Sequence, residues 1–324
     1  MQKNQLSATR DGFGQAMVEV GHKYPQVVVL SADLSESLKL NEFKREFPSR
    51  FIECGVAEQN MMSVAAGMAL AGKIPFVTSF AAFNPGRNLD QLRVAAYSGL
   101  NIKIIGGHAG LSVGEDGATH QALEDLAIIS ALPNIDIGVP ADAKQAHDLT
   151  LAIAQSKNMS YLRLGRMKLK PLEEYAEHSK TKLGHAQILR EGSDLSIFSC
   201  GLMVQEAMEA ASQLSKIGIS AEVINLHTLR PLDEKAIISS VAKTSAAIIA
   251  CEHQLDSGFN ALIMSVVAKH MGRDLIHPVA IEAIGTTSFG ESGKDKDVLD
   301  KYALNSLAII KKTKLVLAKK NNLL

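Results

Sequence analysis

A glycine-rich loop over residues 106–121 contains the side chains with the clearest capacity for chemistry. It holds two histidines, two acids and a threonine among five glycines, with His108, Asp116 and His120 spaced along it. A neutral imidazole near pH 7 can accept or donate a proton, so both histidines suit acid-base catalysis. Loops of this composition usually form substrate sites. The alternative is a surface turn whose histidines are only solvated.

Glu58 stands at the predicted start of a helix, within the stretch CGVAEQN. A carboxylate in a first helical turn is stabilised by the helix dipole and the free N–H groups. Taken alone, this position therefore favours a capping role for Glu58. The helix that follows is rich in alanine, glycine and serine, which lets another backbone approach closely and predicts a crowded interface.

Two further segments place polar or aromatic groups just after predicted strands. One carries Phe80 and Phe83, and the other carries Asp33 and Ser37. Two phenylalanines three positions apart are more often core than ligand platform. Because ligands of open parallel sheets bind outside the carboxyl ends of the strands, we expect these segments to meet at one edge of a sheet.

Alternating strands and helices must position these groups. Several of the predicted strands are apolar at consecutive positions, as expected for parallel strands buried on both faces. The strands are predicted at 27–33, 50–55, 74–80, 101–108, 135–140 and 160–165. The helices between them are predicted at 7–23, 57–71, 84–98, 120–131 and 142–156.

A polar stretch with poor periodicity then predicts a linker and a second, smaller α/β unit. We expect a first domain over residues 1–168, a linker over 169–185 and a second domain over 186–324. The second domain has predicted strands at 194–200, 221–226, 246–252 and 278–285. Its helices are predicted at 202–217, 233–243 and 257–271.

Composition excludes several classes of function. The chain has 324 residues, with 34 lysines and arginines against 34 acids, so no net field attracts nucleic acid or an anionic membrane. We expect no membrane span, because every apolar run is interrupted before spanning length. Three dispersed cysteines offer neither a disulfide framework nor a CxxC metal site, and no signal peptide is evident. We therefore expect a cytoplasmic protein.

Short motifs exclude other chemistries. A string ending in Gly72-Lys73 fits most of a phosphate-binding P-loop, but Ile74 replaces the hydroxyl residue and the string leads from helix to strand. Ser112 lies in a GxSxG match, but in the middle of a loop and not at a strand-to-helix turn. The sequence contains neither GxGxxG nor HExxH.

Several strings closely resemble the C-terminal half of transketolases. They are GVAEQNMM, TSFAAFNPGRNLDQLR, GGHAGLSVGEDGATHQ, LPNIDIGVPAD, LRPLDE and FGESGK, and the similarity runs from about residue 9 to about residue 304. The resemblance implies a parallel-sheet pyrimidine-binding domain followed by a transketolase C-terminal domain. It also implies thiamine diphosphate and a divalent ion, Mg²⁺, as cofactors, and ketose and aldose phosphates as substrates.

The resemblance also implies roles for residues that contact the cofactor. Glu58 matches the glutamate that contacts N1′ of the aminopyrimidine, where a shared proton favours the tautomer that activates the cofactor. Phe83 matches the aromatic residue that stacks on this ring, with Phe80 beside it. Asp33 matches a position close to the cofactor.

A second set matches residues that contact substrate. His108, Asp116 and His120 match groups that touch sugar hydroxyls and assist proton transfers. Phosphate binding is implied for a further set of residues: Arg10, Ser37 and Arg166. Arg163 is a neighbour that an alignment slip would confuse with Arg166.

Two departures from the family qualify this prediction. Ala57 and Gln59 flank Glu58 where many members have Arg and His, which is also similar to deoxyxylulose-phosphate synthases. His108 and the GEDG string look more like transketolase.

The N-terminal half with its GDG motif, which binds magnesium and diphosphate, has no counterpart here. The resemblance therefore implies the C-terminal subunit of a split transketolase, which needs an N-terminal partner subunit in an α2β2 assembly. The alternatives are a deoxyxylulose-phosphate synthase-like or other thiamine-dependent ketol transferase subunit and, more remotely, a non-catalytic scaffold.

Overall fold

The computed structural model describes residues 5–172 and 181–323. Residues 173–180, which belong to the predicted linker, lie outside the described residues. Among the described residues, no helix is both long and apolar enough to cross a membrane.

Strands and helices alternate through the first half of the chain. The strands are β1 (Ser7–Ala8), β2 (Val27–Ser31), β3 (Phe51–Glu53), β4 (Ile74–Phe80), β5 (Lys103–Gly107), β6 (Ile135–Gly138), β7 (Met159–Arg163) and β8 (Lys168–Leu169). The helices are α1 (Thr9–Lys23), α2 (Asn41–Glu46), α3 (Glu58–Leu70), α4 (Leu89–Tyr97), α5 (Asp125–Ser130) and α6 (Ala143–Gln155).

The second half repeats this alternation. Its strands are β9 (Gln187–Arg190), β10 (Leu195–Ser199), β11 (Ala221–Asn225), β12 (Thr228–Arg230), β13 (Ala246–Gln254) and β14 (Ala280–Thr286). Its helices are α7 (Met203–Ser215), α8 (Glu234–Thr244), α9 (Gly258–His270), α10 (Asp295–Lys301) and α11 (Ser306–Leu323).

Two main sheets result from these strands. The first has seven strands in the order β12-β6-β7-β5-β4-β2-β3, and all pairings in it are parallel except that of β12 with β6. The second has five strands in the order β14-β13-β10-β11-β9, with only β9 antiparallel. The predicted α/β class, with a parallel sheet followed by a second α/β unit, is confirmed.

Helices cover both faces of the seven-stranded sheet. Phe13 of α1, Phe43 of α2 and Leu149 of α6 belong to one buried cluster. Met61 of α3 and Leu92 of α4 belong to another. Strand β2 is buried along its whole length and β4 at every residue after Ile74, and this explains why neither strand alternates between apolar and polar residues.

Strand β12 comes from the second half of the chain but pairs with β6 at the edge of the first sheet. Arg230 of this strand donates hydrogen bonds to the carbonyls of Leu132 and Ser130, which precede β6. The strand has only three residues and no periodic pattern, so the sequence did not predict it. Most other elements lie within a few residues of their predicted bounds, and β4 matches its predicted range of 74–80.

Candidate functional site

The carboxyl ends of parallel strands bring the predicted site residues to one edge of the seven-stranded sheet. Phe80 ends β4, and His108 directly follows β5. Arg166 lies three residues after β7, whereas Glu58 is reached through a short turn after β3. The expectation that these segments meet at one edge of the sheet agrees with the contacts among them described below.

Glu58 is a buried carboxylate whose partners are side chains of other segments. It is only 2 % exposed. The Ser79 hydroxyl donates to Oε1 at 2.9 Å, and Arg87 Nη1 donates to Oε2 at 2.9 Å. No described hydrogen bond joins the carboxylate to an N–H of α3, so the capping interpretation does not account for its contacts. Each carboxylate oxygen keeps a further lone pair for a ligand.

Two phenylalanines and two histidines form an aromatic cluster beside this carboxylate. The rings of Phe80 and Phe83 lie 6.3 Å apart at an angle of 21°. The His108 ring stacks on Phe80 at 4.0 Å, and the His120 ring meets Phe83 edge-on at 5.2 Å. The Arg87 guanidinium lies 3.9 Å from the centre of the Phe83 ring, a cation-π contact. The cluster therefore joins the carboxylate to the glycine-rich loop.

His108 is held neutral at this site. Its Nε2 lies 3.0 Å from Arg10 Nη1, and because arginine can only donate, Nε2 accepts and the ring proton belongs on Nδ1. Burial lowers the pKa of His108 to about 3, with further lowering by Arg10, Arg166 and Lys39. His108 Nδ1 is buried without a hydrogen-bond partner among the described residues. That N–H is therefore a buried donor without a partner in the part of the chain that the structure describes.

The predicted phosphate-binding group forms one cationic region. Arg10 Nη1 also donates to the Ser37 carbonyl at 3.0 Å, so Ser37 contributes its backbone to this contact. Burial lowers the pKa of Arg10, with Asp11 opposing and Arg166 adding to the effect. Arg166 donates to the Val113 carbonyl at 2.7 Å. The charges of Arg10 and Arg166 thus act on the same buried imidazole, while Glu115 pairs with Arg166 at 3.4 Å.

Asp33 and Asp116 lie nearer the surface. The backbone N–H of Asp33 donates to Glu53 Oε1 at 2.7 Å. No described hydrogen bond or ring contact joins Asp33 to the aromatic cluster. Asp116 ends the 3-10 helix Leu111–Asp116 and pairs with Arg166 at 3.9 Å. The structure therefore connects Asp116, but not Asp33, to the cationic region.

Arg163 and Arg166 have distinct roles in the structure. Arg163 is buried and its Nε pairs with Asp125 Oδ2 at 2.9 Å. It also donates to the carbonyls of Ala122 and Glu252. The side chain of Arg166 is 36 % exposed at the site. Of the two, Arg166 is the one available to a ligand.

Three residues at the site were missed from the sequence. Ser79 and Arg87 hold Glu58, and Lys39 adds positive charge near His108. Arg87 follows Phe83 by four positions, a spacing that would suggest contact on a helix, but this segment is a series of turns. Lys39 lies in the turn after Ser37, where the sequence gives no periodic signal.

The described part of the chain contains no group of three or more His, Cys, Asp or Glu side chains that could hold a metal ion. The residues at the sheet edge include groups that suit a flat heteroaromatic ring. They are the partly exposed ring of Phe83, which lies beside the buried Phe80, and the carboxylate of Glu58.

Comparison with known proteins identifies the family. Residues 6–171 match the transketolase pyrimidine binding domain, and residues 184–309 match the transketolase C-terminal domain. A transketolase C-terminal section from Methanocaldococcus jannaschii is 38% identical over 94% of each chain. A 6-deoxy-6-sulfo-D-fructose transketolase subunit from a Clostridium species is 35% identical, over 96% of this chain and 95% of that one.

A solved structure gives the same result. It is described as a split gene transketolase, an inactive beta4 tetramer, and it matches with 35% identity and a TM-score of 0.86 over 97% of this chain and 99% of that chain. By contrast, the chain spans about half the length of the mammalian transketolases and transketolase-like proteins that it matches. The chain belongs to the transketolase family and corresponds to its C-terminal section.

Proposed function

We propose that this chain is the C-terminal, or beta, subunit of a split thiamine diphosphate-dependent transketolase. The observation that carries the proposal is a series of contacts from Glu58 through Arg87 and the Phe80–Phe83 pair to the neutral imidazole of His108 and then to Arg10. These contacts support a site in which an acid, an aromatic platform and an anion-binding region adjoin. In the reaction, a two-carbon ketol unit passes from a ketose phosphate to an aldose phosphate.

Glu58, Phe80 and Phe83 would hold the aminopyrimidine of thiamine diphosphate. When bound, the cofactor supplies the nucleophilic carbon that cleaves the ketose. The part of this chain is to offer a carboxyl group for a proton at the ring and two phenyl faces for stacking. Ser79 and Arg87 fix the orientation of that carboxyl. The ligands for Mg²⁺ are expected on the partner subunit.

The sugar phosphate would occupy the adjoining polar region. Arg10 and Arg166 suit a phosphate dianion, because guanidinium groups present several donors in a fixed plane. His108 can donate through its free Nδ1–H to a sugar or phosphate oxygen. His120 and Asp116, on the same loop, would contact hydroxyl groups and pass protons.

The partner is proposed to be an N-terminal transketolase subunit that carries the diphosphate-binding domain. Large apolar side chains remain exposed on α3 and α4, among them Leu70 at 77 %, Val94 at 60 % and Tyr97 at 93 %. Exposed apolar groups on neighbouring helices are typical of an interaction surface. We propose that α3 and α4 of one copy of this chain contact α3 and α4 of a second copy within an α2β2 assembly.

The proposed assembly is cytoplasmic, and the three cysteines support this because all of them are free thiols.

An alternative sugar substrate is favoured by the proposed anion site. Arg10, Lys39 and Arg166 would attract a sulfonate as well as a phosphate, and the Clostridium relative is named for a sulfo-sugar. Ketol transfer from a sulfo-ketose is therefore the second candidate.

The test is a ketol-transfer assay on this chain with and without a GDG-bearing partner recovered from the same cells. We expect transfer from xylulose 5-phosphate to ribose 5-phosphate only by the complex, in the presence of thiamine diphosphate. Activity of the chain alone would contradict the split-subunit proposal. Release of carbon dioxide from pyruvate and glyceraldehyde 3-phosphate would indicate the synthase reaction instead.

A further inference from the structure

The glycine-rich loop is buried against the C-terminal half of the chain. Its central 3-10 helix Leu111–Asp116 is interrupted at Gly114, where φ is +76°. Although this segment lies between two elements of the first half, Leu111 to Gly114 are buried, and α10 packs against them. The position of the loop therefore depends on contacts that the first half does not supply.

One of these contacts is made by a buried carboxylate. Glu252 of β13 is 4 % exposed, and its Oε1 accepts a hydrogen bond from the Ser112 N–H at 2.6 Å. Burial raises the pKa of Glu252 to about 7, against the opposing effects of Arg163 and Ser112. Burying this carboxyl costs free energy, and its hydrogen bond to the loop offsets part of that cost.

The backbone of the loop is shaped to admit this carboxylate. A Cβ atom at Gly110 would lie 2.1 Å from the Glu252 carboxyl carbon. Gly110 also has a φ of +85°, which side chains rarely allow. Gly110 is therefore required both for the turn and for the approach of Glu252.

The FGESGK segment makes a second contact with the same loop. Gln121 Nε2 donates to the Glu291 carbonyl at 3.0 Å, and the Ser292 hydroxyl donates to the Glu115 carbonyl. Gly114 packs closely on this segment, since a Cβ there would lie 3.1 Å from the Gly293 carbonyl oxygen. The C-terminal half therefore holds the loop at both its start and its end.

The residues between these two contacts bind Arg166, which is proposed to hold the sugar phosphate. The Val113 carbonyl, next to Ser112, accepts a hydrogen bond from Arg166 at 2.7 Å. Asp116 pairs with the same arginine. Glu115 Oε2 also accepts from Arg166, at 3.4 Å, so a shift of Ser112 would move all three partners of Arg166.

We propose that Glu252 is a positioning residue, which fixes the glycine-rich loop through the Ser112 N–H so that Arg166 and Asp116 are aligned for the sugar phosphate. The C-terminal half thus shapes the substrate site although it contributes none of the predicted site residues. The inference rests on the proposed function for the identity of the ligand, but the loop contact itself is a property of the chain alone.

Hydrogen exchange of the isolated chain, followed by mass spectrometry over residues 108–121, tests the contact. Glu252→Ala removes the acceptor, and we expect exchange in this segment to become roughly tenfold faster, as for the loss of a charged hydrogen bond. Glu252→Gln keeps an acceptor oxygen and is expected to restore most of the protection. If the alanine variant does not fold, the glutamine variant is expected to show a smaller increase confined to this segment.

Glu222→Ala is the matched control. Glu222 is also a buried carboxylate in the C-terminal half, 1% exposed, but its partners are Ser240 and Lys243. We expect this variant to leave exchange in residues 108–121 unchanged. Equal acceleration in both alanine variants, no change in Glu252→Ala, or acceleration spread evenly over the chain in Glu252→Gln would overturn the proposal.

The complex with the GDG-bearing partner separates this inference from the proposed function. There we expect Glu252→Ala to raise the KM for the sugar phosphate by a factor about ten times larger than the factor by which it lowers kcat. Glu252→Gln is expected to reverse part of this effect. Changed exchange without ketol transfer by the unmodified complex would overturn the proposed function alone. Ketol transfer by that complex together with unchanged exchange in Glu252→Ala would overturn the inference alone.

Discussion

Arg10 Nη1 lies 3.0 Å from His108 Nε2, so the guanidinium donates to the imidazole and not to a carboxylate. This contact couples the proposed anion site to the aromatic cluster, because the same imidazole stacks on Phe80 at 4.0 Å. A protonated His108 could not accept the hydrogen bond and would face the positive charges of Arg10, Arg166 and Lys39. The site therefore requires neutral His108.

The first prediction concerns the pH dependence of stability. The pKa of His108 is about 3 in the folded chain against 6.5 as the ordinary value, so between these values the unfolded chain binds a proton that the folded chain does not. Stability is therefore lost as pH falls through this window. Between about pH 7 and about pH 5, we expect the free energy of unfolding of His108→Asn to fall less than that of the unmodified chain. Urea unfolding at each pH measures both values.

His277→Asn is the control for this experiment, because His277 is exposed on the second half of the chain. This variant should follow the pH dependence of the unmodified chain. Identical slopes for all three proteins would show that His108 titrates normally in the folded state. In that case the neutral imidazole could not be part of the site.

The second prediction concerns the carboxyl of Glu58, which is proposed to be catalytic. Glu58→Gln keeps the size of the side chain, and its one carbonyl oxygen can still accept from Arg87, but it cannot supply an acidic proton. We expect kcat of the reconstituted complex to fall by about 10²- to 10⁴-fold, the range typical of acid-base groups. Glu36→Gln, at an exposed glutamate near the site, should leave kcat unchanged. Full activity of Glu58→Gln would favour the scaffold alternative.

The third prediction separates substrates by charge. Arg10→Ala removes a charged donor from the anion site and from His108, and each such hydrogen bond is worth about 1.5–3 kcal/mol. We expect kcat/KM for a phosphorylated aldose acceptor to fall by about tenfold to a hundredfold. An unphosphorylated acceptor such as glycolaldehyde should be affected much less. Equal losses with both acceptors would contradict an anion-binding role.

Much of the fold follows from local patterns, whereas much of the site does not. Consecutive apolar residues identify β4 because parallel strands are buried on both faces, and Asp142 marks the start of α6 by accepting from the Gln145 N–H at 2.6 Å. The three-residue strand β12 had no such signal, because its pairing with β6 is set by tertiary packing.

The position of Glu58 could be predicted from the sequence, but its contacts could not. Its position at the start of α3 is local and was predicted, but its partners Ser79 and Arg87 come from a different strand and turn. Glu252 gives no periodic signal, because it follows six apolar residues of β13 and precedes the polar residues His253 and Gln254. Contacts between segments far apart in sequence depend on side-chain geometry that periodicity does not encode.

The fourth prediction distinguishes two arginines that lie three positions apart. Arg163→Met leaves Asp125 buried at 1% exposure without its ion pair, and breaking such a pair typically costs about 3–5 kcal/mol. Arg166→Met removes a half-exposed group whose ion pairs lie near the surface, so we expect a change of less than about 1 kcal/mol. Urea unfolding at pH of about 7 measures both values.

The effect on activity should have the opposite order, with Arg166→Met impaired more than folded Arg163→Met. Arg166→Met is expected to raise the KM for sugar phosphates, because Arg166 supplies positive charge at the anion site. Arg163→Met, assayed where it remains folded, should raise this KM less than Arg166→Met does, because Arg163 reaches the loop only through its hydrogen bonds to the carbonyls of Ala122 and Glu252. The double variant Arg163→Met/Asp125→Asn should recover part of the lost stability, because it no longer leaves a buried charge unpaired. A stability loss at Arg166 as large as that at Arg163 would show that the two residues share a structural role and would remove Arg166 from the proposed substrate site.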